Sequence, residues 1–317
     1  MSATQRSRFQ YRVTTGRLTL PVCIALSALL WWLHEGPQPL AVAGWGVCLL
    51  TTFLLAETDN TQQLIRVRSQ MVCSTWLFTA ACASALHPAI EVQLPAAALA
   101  ASHLLLLQCY QRTEPVAQVF HSFLLLSVGS LFFTPMLLLT FPMLCYLWRL
   151  MLVRSWRTFW AAMVGLALPY IGVGGWCLVT KDFSWILTQI EPLSRLPQLE
   201  LTAYEGLPAH ALIPYVLLVL LTFMGMLHHL TNSFADKIRV RLMLRVFIFQ
   251  SFFLLLMPVA WPQSLPTLTA MLLVSGAPLI AHFFSLTNSR ATNVLFIITI
   301  AILLLVTCLP FVPLLWE

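Results

Sequence analysis

The stretch Val294–Leu309, VLFIITIAILLLVTCL, runs for sixteen residues with no charge and only two hydroxyls. A β-barrel strand would alternate polar and apolar residues over about ten positions, so this run reads as a helix crossing lipid. Only a helix or a closed barrel satisfies its own backbone in a bilayer, and a core about 30 Å thick takes roughly 20 helical residues. Working outward, comparable apolar runs recur along the chain. They predict spans near 18–34, 39–56, 71–88, 94–110, 116–133, 135–153, 158–179, 210–228, 243–260, 265–287 and 292–314. Between the fifth and sixth, Thr134 and Pro135 form either a tight hairpin or a break in one helix. The expected fold is an all-α polytopic membrane protein of about eleven transmembrane helices in one integral domain.

Composition agrees, because 59% hydrophobic and 9% charged residues lie far from the roughly 25% charge of a soluble globule. With eleven spans, fifteen of the seventeen Lys and Arg fall on the N-terminal side. They are Arg6, Arg8, Arg12 and Arg17 in the basic segment 1–17, then Arg66, Arg68, Arg112, Arg149, Arg154, Arg157, Lys237, Arg239, Arg241, Arg245 and Arg290. Only Lys181 and Arg195 fall opposite. The positive-inside rule therefore predicts a cytoplasmic N-terminus, retained as a signal anchor, and an outer C-terminus, in a cell inner membrane. The net charge of +6 is a topology signal, and no nucleic-acid partner is expected.

The eight cysteines, all inside expected spans, show neither CxxC nor Cys/His ligand spacing and read as small apolar packers. His103, His121, His228, His229 and His282 all fall near the inner leaflet. Histidines in spans are candidates for a metal site or a proton relay. No two stand at i, i+4 on one helix, and no carboxylate within a span supports them, so they read as interfacial side chains. No metal centre and no cofactor is expected. Glu57-Thr58-Asp59-Asn60 reads as the cap of a short helix carrying Gln62, Gln63, Arg66 and Arg68.

The segment 181–209 is the one sizeable outer loop, with Trp185, Ile186, Leu187 and Ile190 spaced for a short interfacial helix. A repeat relating 116–179 to 243–314 is suggested by Phe120-His121-Ser122-Phe123 and Phe249-Gln250-Ser251-Phe252. Parallel repeats and helix-breaking Pro and Gly would suit a transporter or flippase of a lipid or small solute. Such a protein needs a polar midplane cavity, for which Gln118, Gln250, Ser251, Ser275 and His103 are the available lining. A non-catalytic membrane scaffold is the other alternative.

The residues Phe120 through Ser130-Leu131-Phe132-Phe133-Thr134-Pro135, then Arg149, Arg154, Arg157 and Gly165-Leu166-Ala167-Leu168-Pro169-Tyr170, resemble the middle of a family of bacterial polytopic inner-membrane proteins. More distantly, they resemble membrane glycosyltransferases of the GT-C type. That resemblance implies a polyprenyl-phosphate sugar as partner, an outer-face active site, and an acidic base in the first outer loop. Glu35, in His34-Glu35-Gly36-Pro37, is the residue that can take the base's place. Lys181, Asp182, Arg195 and His210 are the matching substrate-binding candidates. The first outer loop is much shorter here than in GT-C enzymes, where it usually carries juxtamembrane helices.

Overall fold

The computed structural model describes residues 8–67, 69–87, 90–194 and 206–311. Among them there is no strand, and thirteen α-helices follow one another. These are α1 (Phe9–Thr15), α2 (Thr19–Glu35), α3 (Pro39–Gln62), α4 (Met71–Cys82), α5 (Ile90–Leu107), α6 (Val116–Ser130) and α7 (Thr140–Arg149). Then come α8 (Trp156–Thr180), α9 (Ser184–Ser194), α10 (Ala209–Asn232), α11 (Ile238–Ala260), α12 (Leu265–Leu286) and α13 (Arg290–Cys308).

Among the described residues, seven helices are long and apolar enough to cross a membrane: α3, α5, α8, α10, α11, α12 and α13, of which α10, α12 and α13 are extended by 3₁₀ residues at one end. An eighth span arises if α1 and α2, bent by 93° to one another, count as one. The expected spans at 71–88, 116–133 and 135–153 coincide with helices that are shorter than a bilayer. α4 has 12 residues, or about 18 Å at 1.5 Å per residue. It stops at Ala83, which leaves helical geometry before a 3₁₀ turn over Ser84–Leu86. α6 ends at Ser130, and Thr134–Leu139 is 3₁₀ before α7 begins. Because Gln111 N–H, just before α6, donates to the Met151 carbonyl, just after α7, the chain returns to the end it left, and the junction is a hairpin with a long connection rather than a break in one helix.

α12 forms the centre. Of its most apolar stretch 94% is buried, which accounts for a sequence hydrophobic on every side. It packs against α4, α5, α10 and α11. α8, by contrast, lies at the periphery against α6, and only 17% of its most apolar stretch is buried. Such a face, with Trp160, Ile171 and Trp176 exposed, suits lipid. Close approach is set by small residues. A Cβ on Gly165 would stand 2.5 Å from the Phe120 carbonyl oxygen, and one on Gly225 would stand 2.8 Å from the Leu279 carbonyl. Polar links add to this: the Ser102 and Ser122 hydroxyls lie 3.0 Å apart between α5 and α6, and Tyr146 donates to Gln250 Oε1 at 3.2 Å.

The helix ends sort into two groups. At one end, Arg8 donates to the Asn288 carbonyl, Arg66 to the Ala235 carbonyl at 3.3 Å, and Arg157 to Glu114 at 3.0 Å. Arg239 pairs with Gln62 and lies over the Tyr110 ring, and Gln111 N–H donates to the Met151 carbonyl. These contacts join the basic connections 63–70, 108–115, 150–155, 233–237 and 287–289 with α1 into one basic end. The opposite end gathers Gly36, His87, His210 and Phe311. Gly36 ends α2 with φ +68°, a left-handed conformation that glycine adopts without strain.

One local expectation changes. Glu57–Asn60 belong to α3 itself, which continues to Gln62 and stops when Gln63 turns left-handed (φ 53°) and donates to the Asp59 carbonyl. Among the described residues no separate short helix follows. In the suggested repeat, α6 packs along α8, while α11 packs along α12.

Candidate functional site

The densest group of ionisable side chains is at the basic end. α10 carries His229 in its last turn, with His228 just before it, and ends when Asn232 departs from helical geometry. A 3₁₀ turn over Ser233–Ala235 follows, closed by Asp236 N–H donating to the Ser233 carbonyl at 3.1 Å. Asp236 is then extended (φ −93°, ψ 151°) and buried. His282, four residues before the end of α12, meets it: Nε2–H donates to Asp236 Oδ2 at 3.0 Å. Arg66, from the connection after α3, stands 3.8 Å from Oδ1. The His229 ring lies 5.6 Å from the His282 ring and the His228 ring 5.8 Å from it. The ligand atoms of His229, Asp236 and His282 all fall within 4.8 Å of one another, and all three residues are buried. Two imidazoles and a carboxylate in this arrangement can hold a divalent metal ion or exchange a proton.

The sequence placed these three histidines at one leaflet without joining them, because the expected carboxylate partner within a span is missing. Asp236 supplies it from the turn just past α10. The other two inner histidines are elsewhere. His103 is buried against Phe247 (5.5 Å between rings) with Nδ1 directed at the Leu99 carbonyl, and His121 is exposed with Nδ1 directed at Ala117.

Beside this cluster, α7, α10 and α11 enclose a cavity of about 720 Å³. Phe223, Met226, Leu227 and Leu230 line it from α10, and Arg245, Ile248, Phe249 and Phe252 from α11. Both sets follow i, i+3, i+4, i+7, so each is one stripe of one helix. Tyr146 and Arg149 close it from α7. Several lining residues, among them Phe223, Leu230 and Phe252, are exposed, so the cavity opens on the flank of the helix bundle. Arg149 also borders a second cavity of about 430 Å³, with Trp148, Arg154, Trp156 and Phe159. Arg245 is also in electrostatic reach of His229. The polar residues expected to line a midplane cavity, His103, Gln250, Ser251 and Ser275, are buried within the helix packing and do not line this one.

At the opposite end, Glu35 is the half-buried last residue of α2. Its neighbour His34 stacks on Phe311 at 5.0 Å and meets His87 edge-on at 5.3 Å, while His87 stacks on Trp31 at 4.0 Å. His34 also interacts electrostatically with His210, at the start of α10, so one substrate-binding candidate is in electrostatic reach of the residue that precedes Glu35. Lys181 and Asp182 are placed differently. Lys181 ends α8 in a left-handed conformation (φ 57°), and Asp182 Oδ1 accepts from Ser184 N–H at 3.0 Å, capping α9. Those hydrogen bonds from Ser184 hold the Asp182 carboxyl below its ordinary range. α9 packs on the Thr134–Leu139 turn. No hydrogen bond or ion pair among the described residues joins Lys181 or Asp182 to Glu35, and Arg195 lies outside the described residues. No family model, curated protein or solved structure matches the chain, so the functional reading rests on this geometry.

Proposed function

We propose that the protein is an inner-membrane protein of eleven passes, with its basic end in the cytoplasm, that binds and moves a lipid with an anionic phosphate head. The observation that carries this reading is the 720 Å³ cavity between α7, α10 and α11, apolar over most of its wall and bordered by Arg149 and Arg245. Apolar stripes accept acyl or prenyl carbons, and guanidinium groups bind phosphate through charge-assisted, often bidentate hydrogen bonds. A cavity opening on the flank lets a lipid enter from its own leaflet. Trp148 and Trp156, beside Arg149 in the adjoining cavity, are residues that favour the headgroup level.

The test is native mass spectrometry of the protein released from nanodiscs containing neutral and anionic phospholipids and a polyprenyl phosphate. One class of phosphate lipid should stay bound to the wild type. Each charge-assisted hydrogen bond is worth about 1.5–3 kcal/mol, so Arg149→Gln and Arg245→Gln should each weaken retention roughly tenfold or more. Equal retention by the double variant would overturn the reading. Movement is tested separately, by transfer of a fluorescent phosphate lipid between leaflets of proteoliposomes; binding without transfer would favour the scaffold alternative.

A second reading, transfer of a sugar from a polyprenyl phosphate at the outer face with Glu35 as base, is favoured by one observation, the approach of His210 to His34. Glu35→Gln would abolish such a transfer while leaving lipid retention at Arg149 and Arg245 unchanged.

A further inference from the structure

We propose that His229, Asp236 and His282 form a binding site for a divalent transition-metal ion of the zinc class, which clips the α10–α11 connection to the central helix α12. The simplest competing account is a polar pin. In that account Asp236 accepts from His282 at 3.0 Å and faces Arg66 at 3.8 Å, and the three side chains merely hold the basic end together. The pin accounts for His282 Nε2 and for Asp236. It leaves His229 without a role. That ring is 1% exposed, and neither Nδ1 nor Nε2 has a hydrogen-bond partner; the Arg241 backbone comes near it without reaching hydrogen-bond geometry. A buried imidazole with neither nitrogen hydrogen-bonded is unusual, and a metal ion engages one of the two.

The dimensions fit. Zinc lies about 2.0–2.2 Å from imidazole nitrogen or carboxylate oxygen, so tetrahedral donors stand about 3.4 Å apart. Here the donors are all within 4.8 Å of one another and the closest pair is 3.0 Å apart, a spread that small side-chain rotations close around an ion. Arg66 at Oδ1 turns Oδ2 towards the histidines, as groups outside a metal's ligand set commonly do. The surroundings also select the metal. One carboxylate faces Arg66, and Arg245 acts on His229 from the next helix, so a hard cation such as Mg²⁺ or Ca²⁺ finds too little negative charge. Imidazole suits zinc and its neighbours in the first transition row. Three protein ligands leave one position of a tetrahedral set for water or for His228, whose ring is 5.8 Å from His282.

The experiment uses the full chain in nanodiscs, freed of any purification tag and stripped with chelator. Zn²⁺ is then titrated and quantified by elemental mass spectrometry, with Co²⁺ as the spectroscopic probe. Wild type should bind one ion, with the strong visible absorption of tetrahedral Co²⁺, and should melt at a higher temperature with Zn²⁺ than without. His229→Gln and Asp236→Asn, both close in shape to the native residues, should each weaken binding by roughly a hundredfold or more. His121→Ala, at an exposed histidine elsewhere, should bind as wild type does. Should His229→Gln fail to fold, Asp236→Asn carries the test, with monodispersity and chelator-state melting as controls. Sub-stoichiometric binding by folded wild type, or binding that survives both substitutions, would overturn the proposal and leave the polar pin.

Discussion

Adding one methyl group at Gly225 should loosen the centre of the molecule. Gly225 of α10 faces the Leu279 backbone of α12, where an added Cβ would stand 2.8 Å from the carbonyl carbon and oxygen and 3.1 Å from Leu279 Cβ. Ordinary contact begins at 3.4 Å, so α10 must retreat by about 0.6 Å (3.4 minus 2.8), since a helical backbone cannot turn aside. Overpacking of this kind costs about 1–3 kcal/mol, against which alanine regains up to about 1 kcal/mol of helix propensity. Gly174→Ala in α8 isolates the steric part, because its Cβ would meet nothing within 4 Å. The two variants should differ by about 1–3 kcal/mol, roughly five- to hundredfold in the unfolding equilibrium. Gly276→Ala should fall between them, since its nearest neighbour is the Thr222 hydroxyl at 2.5 Å, a side-chain atom that can rotate away. Reversible unfolding in mixed micelles, followed by tryptophan fluorescence, provides the comparison. Equal stability of Gly225→Ala and Gly174→Ala would refute the close α10–α12 contact.

Two further outcomes are expected. The Asp182 carboxyl is held below its ordinary range by Ser184, so its contribution to α9 is complete above the unfolded value of about 3.9 and fades as pH falls through the lower folded value. Hydrogen exchange in the first turn of α9 should therefore differ between wild type and Asp182→Ala at neutral pH and converge in acid; identical exchange at neutral pH would remove the cap. For topology, Glu35→Cys should react with an impermeant maleimide from outside, and Arg290→Cys only after permeabilisation, both in a Cys308→Ser background. Labelling of both from one side would defeat the alternation of spans.

What could be read in the sequence follows from what hydropathy measures. A run such as Val294–Leu309 reports burial in an apolar medium without ambiguity, and α13 covers all of it but Leu309, which opens a 3₁₀ turn. The same index counts apolar residues whether or not the helix is continuous. It therefore merged α4 with the turn at Ser84–Leu86, and the turn at Thr134–Leu139 with α7, into full-length spans. Charge was more informative than boundaries, since the arginine-bearing connections do gather at one end through contacts such as Arg66 with Ala235 and Arg157 with Glu114. The His229, Asp236 and His282 cluster escaped because its members come from two helices and a turn, and a search confined to spans excludes the turn. Of the segment after α8, α9 packs on the Thr134–Leu139 turn, a contact between distant stretches that loop composition does not report.

Helix α10 relates the cavity proposed for lipid to the proposed metal site. Phe223, Met226, Leu227 and Leu230 form its stripe towards the cavity, while Thr222, Gly225 and His229 form the stripe towards α12. The two sites are therefore separated by little more than one helix, about 10 Å across. Arg245 acts on both, as part of the cavity wall and as a positive charge near His229. A cation at His229 is repelled by that charge, and an anionic phosphate beside Arg245 offsets the repulsion. Binding of the two ligands should then be mutually favourable, and linkage requires each to strengthen the other by the same factor. Zn²⁺ should bind more tightly in nanodiscs of anionic phosphate lipid than in neutral ones, and Arg245→Gln should remove the difference while tightening Zn²⁺ in neutral lipid. An undiminished lipid effect in Arg245→Gln would show that surface attraction of cations, rather than this arginine, links the two sites.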